Sequence, residues 1–275
     1  MPTIIVCTNF SKTSHNALGY ICSLINSKPE KKSFDILLLH IFSVPPNYSS
    51  DGIAITTISN SLTYAEEDLH EELEWVNEEY EDLNVFGKIT TGRLVEELEE
   101  QIQEMKASLV ITGSGGDYGE LWSWDDEILS AIRNLSVPLL TIPPNVTFTT
   151  LQNIAFACNL KNVDQNTPYN VLVNFIQFTG AKLHVVYVTN NEIKENSKEA
   201  ENEKSVHSKL QELKPEYYTL YENEVVGAIG RFVETHQIQL LLVIPKKHGI
   251  WNSLFHKSYT KELARLNRLP ILALH

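Results

Sequence analysis

The 275-residue chain is 43% hydrophobic and carries a net charge of −13. That is enough apolar material for one large core or two ordinary ones, since domains cluster near ~100–150 residues. The acidic balance excludes a nucleic-acid-binding surface, which needs clustered Lys and Arg, and no run approaches the ~18 apolar residues of a membrane helix. Cys7, Cys22 and Cys158 stand apart with no CxxC spacing, so neither a disulfide framework nor a zinc site is expected. The start, Met1-Pro2-Thr3, runs straight into Ile4-Ile5-Val6 without the basic region and cleavage site of a signal peptide, and the expected location is the cytoplasm. Charge is unevenly spread: residues 1–147 hold 8 Lys and Arg against 23 Asp and Glu, and residues 148–275 hold 14 against 12.

In chain order, Thr3 to Thr8 is a short β-branched run that ends in Asn9-Phe10-Ser11, which predicts a strand and a turn. Ser11 or Thr13 can cap the next helix, whose apolar face is Ala17, Ile21, Leu24 and Ile25. Phe34 to Phe42 is continuously apolar, as a parallel strand covered on both faces should be. Pro45 to Ser61 reads as a long loop. A helix then follows from Leu62, Ala65, Leu69, Leu73, Val76, Tyr80 and Leu83, recurring at steps of three or four, and its Glu and Asp residues are expected on a solvated face. Val85 to Ile89 is a third strand, and Leu94, Leu98, Ile102 and Met105 mark another helix. Leu109-Val110-Ile111-Thr112 is a fourth strand running into Gly113-Ser114-Gly115-Gly116. A helix near Asp125 to Leu135, a fifth strand over Val137–Ile142 and Pro143-Pro144 complete the unit. Strands alternating with helices predict a parallel sheet with right-handed crossovers.

The pattern then restarts. Asn153 to Leu160 parallels Ile4 to Phe10, with Asn159 standing where Asn9 stands. Pro168 suits the first turn of a helix carrying Val171, Leu172, Phe175 and Ile176, and Leu183 to Val188 matches Leu37 to Phe42. Lys194–Lys209 and Val225–Glu234 read as helices, Leu240–Ile244 as strand four and Leu269–Leu274 as strand five. Leu109 and Leu242 lie 133 residues apart, and Pro138 and Pro270 lie 132 apart. This is an internal duplication, dividing the chain into domains 1–147 and 148–275.

The order of these motifs, used twice, resembles the universal stress protein family over essentially the whole chain. The residues that carry the resemblance are Val6-Cys7-Thr8-Asn9-Phe10-Ser11, Leu109 to Gly116 and Ile132 to Leu140, with Leu254-Phe255-His256-Lys257-Ser258 and Arg268 to Leu272 in the second half. The resemblance implies two similar five-stranded parallel-sheet domains in tandem, each a Rossmann-like α/β sandwich of the HUP type. It also implies ATP as the cofactor of binding members, with base recognition at the end of strand one, a backbone contact at the end of strand two, and phosphates on a Gly-x-x-Gly loop and a Gly-Ser helix start. Glycines admit close approach by phosphate, and a helix N-terminus offers free N–H groups. The matching positions are Thr8, Asn9, Ile41, Gly113, Ser114 and Gly116 in the first half and Asn159 and Val188 in the second.

The sequence departs from that pattern in both halves. Where the first half should read Gly-Ser it reads Asp125-Asp126 or Asp126-Glu127, and the family Asp is Asn9. Two carboxylates 4 Å apart repel by ~4 kcal/mol at an effective dielectric near 20, so a triphosphate there is disfavoured. In the second half the loop reads Pro245-Lys246-Lys247-His248, and Pro245 donates no N–H. Ser258 survives, preceded by Lys257. Lys246, His248, Lys257 and Ser258 are the candidates for binding an anion, against the plainer reading of a basic surface loop.

Other signals carry less. Ser114-Gly115-Gly116-Asp117 resembles a pyrophosphatase loop but follows the wrong strand. Trp122 and Trp124 suit local packing, none of the nine histidines forms a helical i,i+4 pair around a Glu, and no Gly-x-Ser-x-Gly elbow supports hydrolase chemistry. Cys7 and Cys158 should be inert core thiols. The expectation is therefore a non-enzymatic stress-response or signalling module that acts through an unidentified protein partner, with an ATP-binding switch as the alternative. The final strands are apolar and lie at sheet edges, so an intramolecular pseudo-dimer of the halves is expected, with a homodimer as a further option.

Overall fold

The structure is a computed structural model that describes residues 2–42, 52–114, 130–131, 133–163, 167–189, 194, 197–245 and 268–274, and only the backbone at 52–59 and 162. It divides into two compact units, Met1–Thr149 and Thr150–His275.

The first unit runs β1 (Thr3–Thr8), α1 (Lys12–Asn26), β2 (Asp35–Phe42), α2 (Gly52–Glu79), β3 (Asn84–Thr91), α3 (Leu94–Met105), β4 (Ala107–Gly113) and β5 (Leu139–Ile142). The strands pair in parallel in the order β3-β2-β1-β4-β5. Ile4, Ile5 and Val6, like Ile36 to Leu39, are buried consecutively. The absence of any alternation shows that both faces of the central strands are covered. Ser11 begins α1 by accepting a hydrogen bond from Ser14 N at 3.3 Å, supplying one of the helix's unpaired N–H groups with a partner. Because β1 leads one way across the sheet and β4 the other, their C-terminal ends mark the switch point at which open parallel sheets generally bind ligands.

α2 starts at Gly52, inside the stretch read from sequence as a loop. Once Ala65, Leu69 and Val76 pack their face, each further turn toward the N-terminus adds hydrogen bonds without a new nucleation cost. Nothing after Gly52 blocks this extension, since the chain holds no proline between Pro46 and Pro138.

The second unit repeats the design with β6 (Asn153–Cys158), α4 (Tyr169–Thr179), β7 (Lys182–Thr189), α5 (Lys198–Leu210), β8 (Glu216–Tyr221), α6 (Val225–Thr235), β9 (Leu240–Val243) and β10 (Ile271–Ala273). Its order is β8-β7-β6-β9-β10, again parallel throughout. β8 has no counterpart among the strands read from the sequence. Its Tyr217 ring meets Tyr187 and His207, while the next ring, Tyr218, meets Phe232 and His236. Successive side chains of a strand point to opposite faces, so both tyrosines are used in packing. No described helix is long and apolar enough to cross a membrane.

Candidate functional site

At the C-terminal end of β1, the Thr8 side chain is nearly sealed from solvent. Its hydroxyl donates to Glu72 Oε2 at 2.9 Å, accepts from Phe10 N at 3.0 Å and lies 3.2 Å from Ser14 Oγ. Ser14 Oγ donates in turn to Ser11 O at 3.0 Å. On the other side, His40 Nδ1 lies 2.9 Å from the Thr8 carbonyl, which can only accept, so this nitrogen carries the proton. Thr8 is thus held from α1, α2 and β2 together.

Asn9 is exposed, and its Oδ1 accepts from Ser11 N at 3.2 Å. Asn159 does the same in the second unit, accepting from Lys161 N at 3.0 Å. Both are Asx turns, in which a short side-chain oxygen closes the loop. In the first of these turns Phe10 takes a left-handed φ of 60°, a conformation that local side-chain bonding has to hold. The duplicated asparagines therefore have a structural role in each unit.

Gly113 ends β4 against the first turn of α1. A Cβ there would stand 2.7 Å from Thr13 Cγ2 and 2.8 Å from Thr13 O, so the close approach of two backbones requires glycine. Ser114 is buried, and its N–H donates to Ile142 O at 2.8 Å. Ile41 and Val188 are half-buried near the ends of β2 and β7. Gly116, Asp125, Asp126, Glu127, Trp122, Trp124, Lys246, His248, Lys257 and Ser258 lie outside the described residues. The structure therefore brings together Thr8, Asn9, Gly113 and Ser114 around the first turn of α1.

Glu72 is the residue that the sequence reading misassigned. The sequence pattern places it with the other acids of α2 on a solvated face, yet it is only 8% exposed. Burial pushes its carboxyl pKa up, and the Thr8 hydrogen bond and His15 oppose that shift. His15 Nδ1 is 3.6 Å from Glu72 Oε1, and its ring lies against Trp75 with centroids 4.1 Å apart. The signal was present in the spacing: Ala65, Leu69, Glu72 and Val76 follow one another at helical steps, so Glu72 stands inside the apolar stripe.

Chemically, this corner holds hydroxyls that are already hydrogen-bonded. The Cys7 and Cys22 thiols are pushed up to about 12 by burial, and thiols held protonated are poor nucleophiles. Among the described residues, no group of three or more His, Cys, Asp or Glu could hold a metal ion.

Two parallel five-stranded α/β units in tandem, each with its strand order reversing beside its first strand, define a Rossmann-like class of protein. The universal stress protein family model matches residues 1–139, and the chain belongs to the universal stress protein family. No curated protein matches it. Among solved structures, a universal stress protein from Archaeoglobus fulgidus DSM 4304 is 14% identical with a TM-score of 0.65, over 99% of this chain and 95% of that one. A putative universal stress protein from Pseudomonas aeruginosa UCBPP-PA14, also 14% identical, gives a TM-score of 0.57 over 100% of this chain and 93% of that one. The cytoplasmic domain of a prokaryotic cation chloride cotransporter is 11% identical with a TM-score of 0.53, over 99% of this chain and 94% of that one. At these identities the likeness is one of fold, and it extends through the second unit.

Proposed function

We propose that this chain is a non-enzymatic stress-response module that acts through a protein partner, with the nucleotide site of its first unit no longer functional. Membership of the family supports the stress-response role. The observation that carries the rest is the buried Glu72 carboxylate, hydrogen-bonded to Thr8 at the strand end where the family resemblance places base recognition. A nucleotide entering this corner meets an acid instead of free donors. The Thr8 hydroxyl, the Asn9 carbonyl oxygen and the Ser114 N–H already have partners within the fold. Asp125 and Asp126 add negative charge in the sequence segment where the resemblance places a phosphate-binding Gly-Ser.

Thermal unfolding with and without millimolar ATP and Mg²⁺ tests this reading. A ligand at 100 times its dissociation constant adds ~2.7 kcal/mol to stability. An unchanged midpoint is expected, and a rise of several degrees would establish the nucleotide-binding switch in its place.

A further inference from the structure

β8 is the edge strand of the second unit, and among the described residues β7 is its one strand neighbour. The register between the two runs unbroken from Glu216 to Tyr221. Just past the end of β8, Glu222 N donates to Thr189 O at 2.9 Å. Strand residues two apart turn their backbone groups the same way, so Leu220, Tyr218 and Glu216 also face β7. Tyr217, Thr219 and Tyr221 therefore present their N–H and C=O groups outward, where no described strand meets them.

Sheet edges are usually blunted by proline, lysine, a bulge or a covering element. The edge strand of the first unit, β3, holds Gly87 and Lys88, both unfavourable for strand pairing. β8 reads EYYTLY, without glycine, proline or lysine, and aromatic and β-branched residues favour pairing. Tyr221 at its end is 62% exposed. The flanking charges are matched within the unit, Glu216 with Lys182 at 2.5 Å and Glu222 with Arg231. The edge is thus open, regular and free of uncompensated charge at both ends.

We propose that β8 is a self-recognition edge, to which a second copy of this chain adds its own β8 in antiparallel orientation. In such a ladder the outward residues of one strand meet the outward residues of the other. A twofold axis through Thr219 is the register that uses all three of them. It sets Thr219 against its own copy and Tyr217 against Tyr221 of the second copy, closing about six backbone hydrogen bonds. Tyr218 then meets Leu220 of the second copy on the opposite face. Thr–Thr and aromatic pairs are among the favourable cross-strand contacts, so β8 is its own complement, which is why a second copy is the occupant. Glu216 comes opposite Glu222 of the second copy, but each brings its own cation. An edge of six residues is short, and a weak, reversible dimer follows.

Sedimentation velocity on the full chain, from about 1 μM to about 1 mM, measures the association, and a dissociation constant of roughly 10–500 μM is expected. Amide hydrogen exchange over the same range should slow several-fold at Tyr217, Thr219 and Tyr221, and change little at Tyr218 and Leu220, which are already bonded to β7. Thr219→Pro removes the central outward N–H, a substitution an edge strand tolerates where that nitrogen faces solvent. Tyr221→Asp removes the aromatic pair and adds a carboxylate beside the two glutamates. Each should weaken dimerisation about tenfold or more. Tyr64→Asp, at a residue of the first unit that is 64% exposed, should leave it unchanged. Circular dichroism establishes that each variant folds, and if Thr219→Pro does not, Tyr221→Asp and the exchange pattern decide. A chain that stays monomeric throughout would overturn the proposal. So would a dimer indifferent to Tyr221→Asp, or one whose outward β8 amides exchange at the same rate at every concentration, since it would use another face.

Discussion

The Thr8 hydroxyl donates to the Glu72 carboxylate at 2.9 Å across 64 positions of sequence, joining the end of β1 to the middle of α2. The bond lies inside the fold, where an acceptor that loses its partner cannot turn to water. Thr8→Val should therefore cost about 1–3 kcal/mol. Thr8→Val combined with Glu72→Leu should cost less than the sum of the two single changes, because the pair is removed together. Urea denaturation of the four proteins gives the coupling energy, and strict additivity would mean the bond contributes nothing.

Two buried groups give the stability opposite dependences on pH. Burial raises the Glu72 pKa above its ordinary 4.5, so just above that value the folded protein binds more protons than the unfolded chain. Its contribution is present below pH 4.5 and is lost as pH rises through the folded-state value. Wild type should lose stability relative to Glu72→Gln as pH increases from 4.5. Parallel curves for the two proteins would refute this.

His184 behaves in the other sense. It is buried at 4% exposure, its Nε2 lies 3.1 Å from Asn153 Oδ1, and burial lowers its pKa from the ordinary 6.5 despite the nearby Glu216. Here the unfolded chain binds the extra proton, so stability is present above pH 6.5 and is lost as pH falls through the folded-state value. Denaturation of wild type and His184→Leu at a series of pH values below 6.5 should show wild type declining the faster.

Two glycines should respond to alanine with opposite signs. At Gly113 the added methyl meets Thr13 backbone atoms at 2.8 and 2.9 Å, and overpacking of this kind costs about 1–3 kcal/mol. At Gly19, inside α1, the nearest atom is Trp75 Cη2 at 3.4 Å, an ordinary contact. Gly19→Ala should gain up to about 1 kcal/mol from helix propensity. Melting temperatures of the two variants, one lower and one higher than wild type, check both. If Gly113→Ala were neutral, the glycine would owe its place to something other than packing against α1.

The Asx turns predict a matched pair of losses. Asn9→Ala and Asn159→Ala each remove one side-chain acceptor from a backbone N–H in equivalent loops. Each should lower stability by about 0.5–1.5 kcal/mol, while aspartate at either position keeps the acceptor and should restore it. A loss at only one of the two would show that the duplicated turns are not equivalent.

The sequence by itself determined the tandem α/β architecture, because unbroken apolar runs such as Ile36 to Leu39 and helical stripes such as Leu98 and Ile102 are local patterns whose burial follows from periodicity. The spacing of Asn9 and Asn159, and of Pro138 and Pro270, displayed the duplication for the same reason. Only the tertiary structure decided that α2 begins at Gly52, that Glu216–Tyr221 is an edge strand, and that Glu72 lies inside with Thr8 while Tyr187, Tyr217 and His207 converge in the other unit. A charge on a helix reads as solvated until a partner from distant sequence is found for it, and a half-buried strand of tyrosines has no alternation to reveal it. Both depend on contacts between elements far apart in the chain, which periodicity does not encode.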